Sequence, residues 1–457
     1  MIRSYTIVGA GIGGLMAAYR IIDEQPDAEI TIIERSMHPG GLLAGIDYPD
    51  GLYFDIGTHI FQETGDKNID TRIQQAVNAE DLIIFEDGRG DISGAYFNGR
   101  LQNNSHFPDL RYHKDFEILL AALDKHLSGQ SNIPGIDALE PLIKVSTARF
   151  GQIATEKIIN EIQSTIFKTP AENLAGFCLL LTGISRFIVS DEEKWMNSYT
   201  SEPFRSIYGF PEQLQLPNPY RHHRKSFYSK KRGSRNFIDG LVLVLKEKGI
   251  KFLFGTEIEK FDSAKLSFTI STNQVKSEIT ANRVVFSNGV IGAAKVCGIN
   301  LSSVSLDKPL SHAIINLQMS ETIDNPLCYF YGMDRDVDFY RITNYRAFSG
   351  NADDKRISIE ILGKTDKEID IADYLDQLCK IEFLTSKSIN FSDVIHLPSG
   401  FTSPTVKNMN GLHDMAKLLR NHLPKSVVVS GVGSRAGLFF QNDVVKDTYN
   451  NDNILLQ

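Results

Sequence analysis

Gly9, Gly11, Gly13 and Gly14 are the residues whose spacing most directly prescribes a chemistry. They stand in SYTIVGAGIGGLMAAYRIIDEQPDAEITIIE, residues 4–34: a short β-rich run, a glycine turn, an apolar run at helical spacing and a second β-rich run. In such a βαβ unit the first glycine, Gly9, permits the tight turn out of the strand. Gly11 lets backbone approach a pyrophosphate, and Gly14 lets helix and strand pack with no Cβ between them. The phosphate charge then meets free N–H groups and the positive end of the helix dipole. Glu34 closes the second strand, where a carboxylate accepts hydrogen bonds from a ribose 2′-OH and disfavours the 2′-phosphate of NADP. The chemistry expected here is dinucleotide binding.

Behind Glu34 the chain reads ERSMHPGGLLAG and then YFDIGTHIF. Taken alone, Gly40 and Gly41 are a loop turn or a second close approach of backbone to a ligand. His59 is a core histidine satisfied by backbone or a donor in a site. The E-R-x(4)-G-G and G-x-H-x-F elements resemble the flavoproteins that include UDP-galactopyranose mutase, protoporphyrinogen oxidase and the amine oxidases. In that group the dinucleotide is FAD. The resemblance implies non-covalent FAD held by Gly9, Gly11, Gly13, Gly14, Glu34, Arg35, Gly40, Gly41 and Leu42, with His59 a donor beside the flavin ring that tunes its redox state. It implies a backbone contact at Ile258, on a strand that meets the adenine. It also implies a closing contact from Gly433 and Arg435 in VVVSGVGSRAGLFFQNDVVKDTY. The group often carries Gly-Asp or Gly-Glu there, whereas this chain has Gly431, Val432 and Gly433. FYRITNYRAF resembles the mutase stretch in which an arginine faces the substrate; Arg341 occupies that place, and Asn344 replaces the acid that follows. The residues also allow Arg341 to be a structural ion-pair partner on a strand.

Composition bounds the reading. A chain of 457 residues, 42% hydrophobic and 23% charged, is ordinary globular material, and a formal net charge of -8 supplies no basic field for nucleic acid. Cys178, Cys297, Cys328 and Cys379 are far apart and offer neither a zinc site nor a disulfide framework, which suits a reducing cytoplasm. The first strand begins at Tyr5, leaving no room for a signal peptide. The apolar run at 174–184 is too short and glycine-interrupted to span a bilayer, so no transmembrane segment is expected.

The expected fold class is α/β: a Rossmann-like FAD-binding domain with a parallel sheet, an inserted helical region and an antiparallel β-sheet substrate domain. Its segments are 1–62 (FAD-binding), 63–220 (mainly helical, substrate-covering), 221–300 (FAD-binding), 301–395 (antiparallel sheet) and 396–457 (FAD-binding). Helical spacing marks 69–79, 116–127, 136–150 and 153–166, with a turn-rich hairpin around YFNGRLQ. A helix at 236–248 capped by Gly249 leads to strands at 265–275 and 278–287, and β-rich runs between 312 and 361 form the antiparallel sheet. Residues 221–235, RHHRKSFYSKKRGSR, carry seven Lys and Arg and no acid. That run is a solvated loop, a site for an anion such as a nucleotide diphosphate, or a contact with membrane phosphates, the last disfavoured because the segment is not a regular amphipathic helix. The leading function is an FAD-dependent oxidoreductase acting on a small molecule, an anion such as a nucleotide sugar among the candidates. The alternatives are a mutase-like isomerase using reduced flavin and a non-catalytic nucleotide-binding protein.

Overall fold

Residues 4–34 form the elements their pattern prescribes. In the computed structural model, which describes residues 3–86, 92–221, 223–302 and 304–455, Ser4–Val8 and Glu29–Ile33 are strands and Ile12–Glu24 is the helix between them. The chain forms two compact units, one from Met1–Ile83, Phe227–Leu306 and Asn410–Gln457, the other from Ile84–Ser226 and Asp307–Met409.

The first unit is built on a five-stranded sheet in the order Lys251–Leu253, Glu29–Ile33, Ser4–Val8, Arg283–Phe286, Val427–Val429. Every pair in it is parallel. Its central strands are nearly continuous apolar runs because both faces are covered. On one face Leu15, Met16 and Ala18 of the first helix pack with Phe237 and Leu241 of Gly233–Glu247 and Val445 of Gln441–Tyr449. On the other, Val8, Ile33 and Phe286 pack with Phe268 and Ile270 and with Met415 and Leu419. The segment expected as one strand at 278–287 is divided. Val275–Thr280 completes an antiparallel three-stranded sheet with Thr256–Asp262 and Ser267–Thr272, and Arg283–Phe286 turns into the parallel sheet.

The second unit carries a seven-stranded sheet in the order Ile389–His396, His312–Met319, Arg356–Leu362, Arg341–Asn344, Tyr329–Gly332, Ser93–Phe97, Arg100–Gln102. Its pairs are antiparallel except that Tyr329–Gly332 runs parallel to Ser93–Phe97. The YFNGRLQ hairpin therefore belongs to this sheet, turning through Asn98 and Gly99 at φ 53° and 71°, the double positive φ of a tight hairpin. Helices run at Phe116–Ser128 and Leu142–Phe150. The latter starts later than its apolar spacing alone predicts, because Pro141 holds the cap and disfavours helix before it. The following helix passes through a π turn at Thr155–Ile159 and ends at Lys168 in the left-handed region. Among the described residues no helix is long and apolar enough to cross a membrane.

Candidate functional site

Each glycine of the first turn meets a different physical demand. Gly9 sits at φ 101° and donates its N–H to Ile33 O at 2.8 Å, closing the strand ends together. A Cβ on Gly14 would lie 1.9 Å from Gly9 O, so only glycine lets the helix start this close to the strand. One on Gly13 would lie 2.6 Å from Ser287 Oγ. One on Gly11 would meet nothing within 4 Å: its Cα faces open space beside the helix N-terminus. That terminus has no side-chain cap and no acid in its first turn, so its end N–H groups and its dipole are left for an anion.

The second glycine pair joins the first. Gly40 donates to Ala10 O at 2.9 Å and bridges in parallel to Gly11, with Gly40 and Gly41 at φ 110° and 58°. Gly41 also faces open space, and Leu42 on the short helix Gly41–Ala44 is 57% exposed. Glu34 Oε2 accepts from Ala10 N and Oε1 from Ser36 N, both at 2.8 Å, which orients the carboxylate at the strand end while leaving lone pairs for a diol. Arg35 is exposed beside it. The loop after Glu34 is tied to the strand edge by Thr256 N to Glu34 O and Gly255 N to Ser36 O. Two residues on, half-buried Ile258 lies opposite Ile270 in a strand at the edge of its sheet.

His59 is half-buried, with Nε2 2.9 Å from Ile56 O. The residue that organises this loop is Asp55, which carried no role in the sequence reading. It is 2% exposed; Oδ1 accepts from Tyr53 OH at 2.8 Å, Ser234 N at 3.0 Å and Ser234 Oγ at 2.5 Å, and Oδ2 from Tyr228 OH at 2.6 Å. A buried carboxylate thus sits at the N-terminus of Gly233–Glu247, where the dipole favours it, and holds residues 53–61 against the second chain segment. Gly433, at φ 77°, closes a turn with Leu438 O at 2.9 Å. Arg435 is exposed and ion-paired at 2.9 Å to Asp447, whose carboxyl burial pushes up and Arg435 draws down.

Arg341 belongs to the second unit. Its Nε and Nη2 donate to Glu360 Oε1 and Oε2 at 2.7 and 3.0 Å, so the fork expected for substrate is occupied by a buried carboxylate, and Nη1 remains. Burial pushes the Glu360 carboxyl up, but Arg341, with help from His312, overrides this and holds it at about 2. His312 Nε2 lies 3.6 Å from Glu360 Oε2, too long for a hydrogen bond. The rings of Tyr331 and Tyr340 flank the guanidinium at 5.9 and 5.4 Å.

The fold offsets part of the charge of the basic run with four acids. Lys225 pairs with Glu86, Lys231 with Asp81, and Arg232 and Arg235 with Asp47 and Asp239. Arg221 donates to the carbonyls of Leu216 and Leu214, and Lys230 to that of Glu80. His222, in the same run, lies outside the described residues. The pairings spread the run's charge over four acids, and the Arg224 guanidinium makes no ion pair or hydrogen bond among the described residues.

The class that this fold and loop define is that of proteins with a Rossmann-type dinucleotide-binding domain. Residues 7–76 match the NAD(P)-binding Rossmann-like domain family. Over 98% of its length the chain shares the fold of reduced UDP-galactopyranose mutase (TM-score 0.70, 13% identity, 93% of that chain). It likewise shares the fold of a candidate protoporphyrinogen oxidase from Exiguobacterium sp. 255-15 (TM-score 0.66, 18% identity, 98% of this chain and 97% of that one). In sequence it is 23% identical over 292 residues to coproporphyrinogen III oxidase of Staphylococcus aureus, 61% of this chain and 59% of that protein's length.

The Glu34 carboxylate provides a direct test of the cradle. Glu34→Ala is expected to weaken dinucleotide affinity by about ten- to a hundredfold, the value of roughly 1.5–3 kcal/mol for charge-assisted hydrogen bonds. Titrating apoprotein with FAD and following quenching of flavin fluorescence measures it. An unchanged affinity would place the ribose elsewhere.

Proposed function

We propose that this chain is an FAD-dependent oxidoreductase acting on a small anionic molecule. The observation that carries the reading is the uncapped helix N-terminus at Gly11, open on its ligand side and flanked by Gly40 and Glu34. Gly9, Gly11, Gly13, Gly14, Gly40 and Gly41 would accept the pyrophosphate and adjoining chain, Glu34 and Arg35 the ribose end, and Ile258 backbone the adenine. Leu42, His59, Gly433 and Arg435 complete the set proposed for the flavin half. FAD supplies the isoalloxazine that accepts a hydride equivalent from substrate. The protein's part is to hold and orient: the helix dipole offsets phosphate charge, Glu34 selects the unphosphorylated ribose, and Arg341 offers Nη1 to an anionic group of the substrate. The relatives named as protoporphyrinogen and coproporphyrinogen oxidases favour redox chemistry on an anionic macrocycle. The likeness to reduced UDP-galactopyranose mutase keeps open an isomerisation on reduced flavin. The four free cysteines support a reducing, cytoplasmic setting.

Purified protein should release yellow FAD on denaturation. Coproporphyrinogen III oxidised in air with peroxide formed supports the oxidoreductase. UDP-galactopyranose converted only after dithionite, without peroxide, supports the isomerase. FMN, NAD or no bound cofactor after reconstitution removes the basis of both.

A further inference from the structure

The Asn98–Gly99 hairpin of the second unit borders a cavity of about 270 Å³ that shares no residue with the glycine loops. Its lining is polar, and much of its hydrogen-bonding capacity is unspent. Asn98 donates Nδ2 to Tyr112 O at 2.6 Å and Asn104 donates Nδ2 to Pro211 O at 2.5 Å, so both keep an amide oxygen. Asn103 accepts only a 3.3 Å bond from Asn325 and keeps its amide nitrogen. The Arg100 guanidinium lies 3.8 Å over the Tyr112 ring and has no ion pair or hydrogen bond among the described residues. The Glu212 carboxyl makes no ion pair or hydrogen bond among the described residues either; burial, reinforced by Glu192, pushes it up against the pull of nearby Arg111. The other two lining charges, Arg111 and Asp109, cancel each other through a fork with contacts of 2.6 to 3.2 Å.

These features define the ligand by elimination. An apolar molecule would cover the open amide groups, the Arg100 guanidinium and the Glu212 carboxyl without offering them a hydrogen bond, which is costly. A phosphate or multiple carboxylate would face Glu212 in a lining whose charges sum to zero. The volume falls just under the roughly 300–1,000 Å³ of drug-sized sites, room for one sugar-sized unit. A polyol fits: each hydroxyl both donates and accepts, matching amide oxygens, an amide nitrogen, a guanidinium and a carboxylate around one space. We propose that this cavity binds a neutral monosaccharide unit, its hydroxyls held between Arg100 and Glu212 and across Asn98, Asn103 and Asn104.

Saturation-transfer NMR on the full-length, flavin-loaded protein with galactose, glucose and N-acetylglucosamine tests this, with UDP as the anionic counter-probe. At least one sugar is expected to receive saturation, and Arg100→Ala and Glu212→Gln are each expected to weaken it at least tenfold with melting temperature and flavin content unchanged. Methyl galactoside binding as well as galactose would assign a linked sugar, and its exclusion a free one. The proposal is overturned if none of the sugars binds, if both variants bind as the parent does, or if UDP displaces them. None of these outcomes bears on whether FAD occupies the glycine cradle.

Discussion

Arg341→Ala is expected to lower the stability of the second unit by about 3–5 kcal/mol, because it strands Glu360 as an unpaired buried charge. For a unit of this size the melting temperature should fall by around 10 °C. The parent pair does not contribute that much net stability; the loss is the cost of breaking it on one side. Arg341→Met combined with Glu360→Leu, which removes both charges at similar volume, should therefore recover most of the loss. Arg341→Lys keeps the charge without the fork and should fall between. The pH dependence has a definite sign. The Glu360 carboxyl is depressed to about 2 in the fold, so its contribution is fully present above the unfolded value of about 4.3 and is lost as pH falls towards 2. Thermal melts of the four proteins at pH 7 and pH 3 read this directly. An Arg341→Ala variant that melts like the parent would show that Glu360 finds another partner or is tolerated unpaired, and would overturn the structural part of Arg341's task.

This pair also marks a limit of what residues reveal without a fold. The βαβ opening was legible because each glycine's role is set by neighbours within a few residues and one short helix. Arg341 could be recognised as a residue with a task, but its partner could not. Glu360 faces it only through the antiparallel register that places the two Cα atoms opposite each other. Asp55 is the stronger case: Tyr53 is a local partner, but Tyr228 and Ser234, which bury it at a helix N-terminus, are 173 and 179 residues away. The 221–235 run errs the other way. Its cations are contiguous, whereas the acids that answer them at 47, 81, 86 and 239 are scattered, so the local pattern overstates the charge left for a ligand. The helix expected from 136 begins instead at Leu142, because Pro141 at its cap disfavours helix in the residue before it.

Gly11 and Gly14 of the first turn, three positions apart, should separate folding from binding. Gly14→Ala puts a methyl group 1.9 Å from the Gly9 carbonyl oxygen, a backbone atom that cannot swing aside, so helix and strand must part. Such a shift removes packing from Leu15, Met16 and Ala17, all 0% exposed, and is expected to cost about 3 kcal/mol or more, as overpacking against a rigid neighbour does. Cofactor and cooperative unfolding should be lost together. Gly11→Ala is the opposite case. Its φ of -73° is ordinary for alanine and its Cβ meets nothing within 4 Å, so the apoprotein should melt within about 0.5 kcal/mol of the parent, as an uncrowded substitution does. The new methyl group then stands where a pyrophosphate must approach backbone, and FAD affinity should fall at least a hundredfold. Melting curves of the two apoproteins, followed by FAD titration, distinguish the effects. If Gly11→Ala binds FAD like the parent, the open side of that turn is not where the phosphates lie, and the placement of the dinucleotide fails with it.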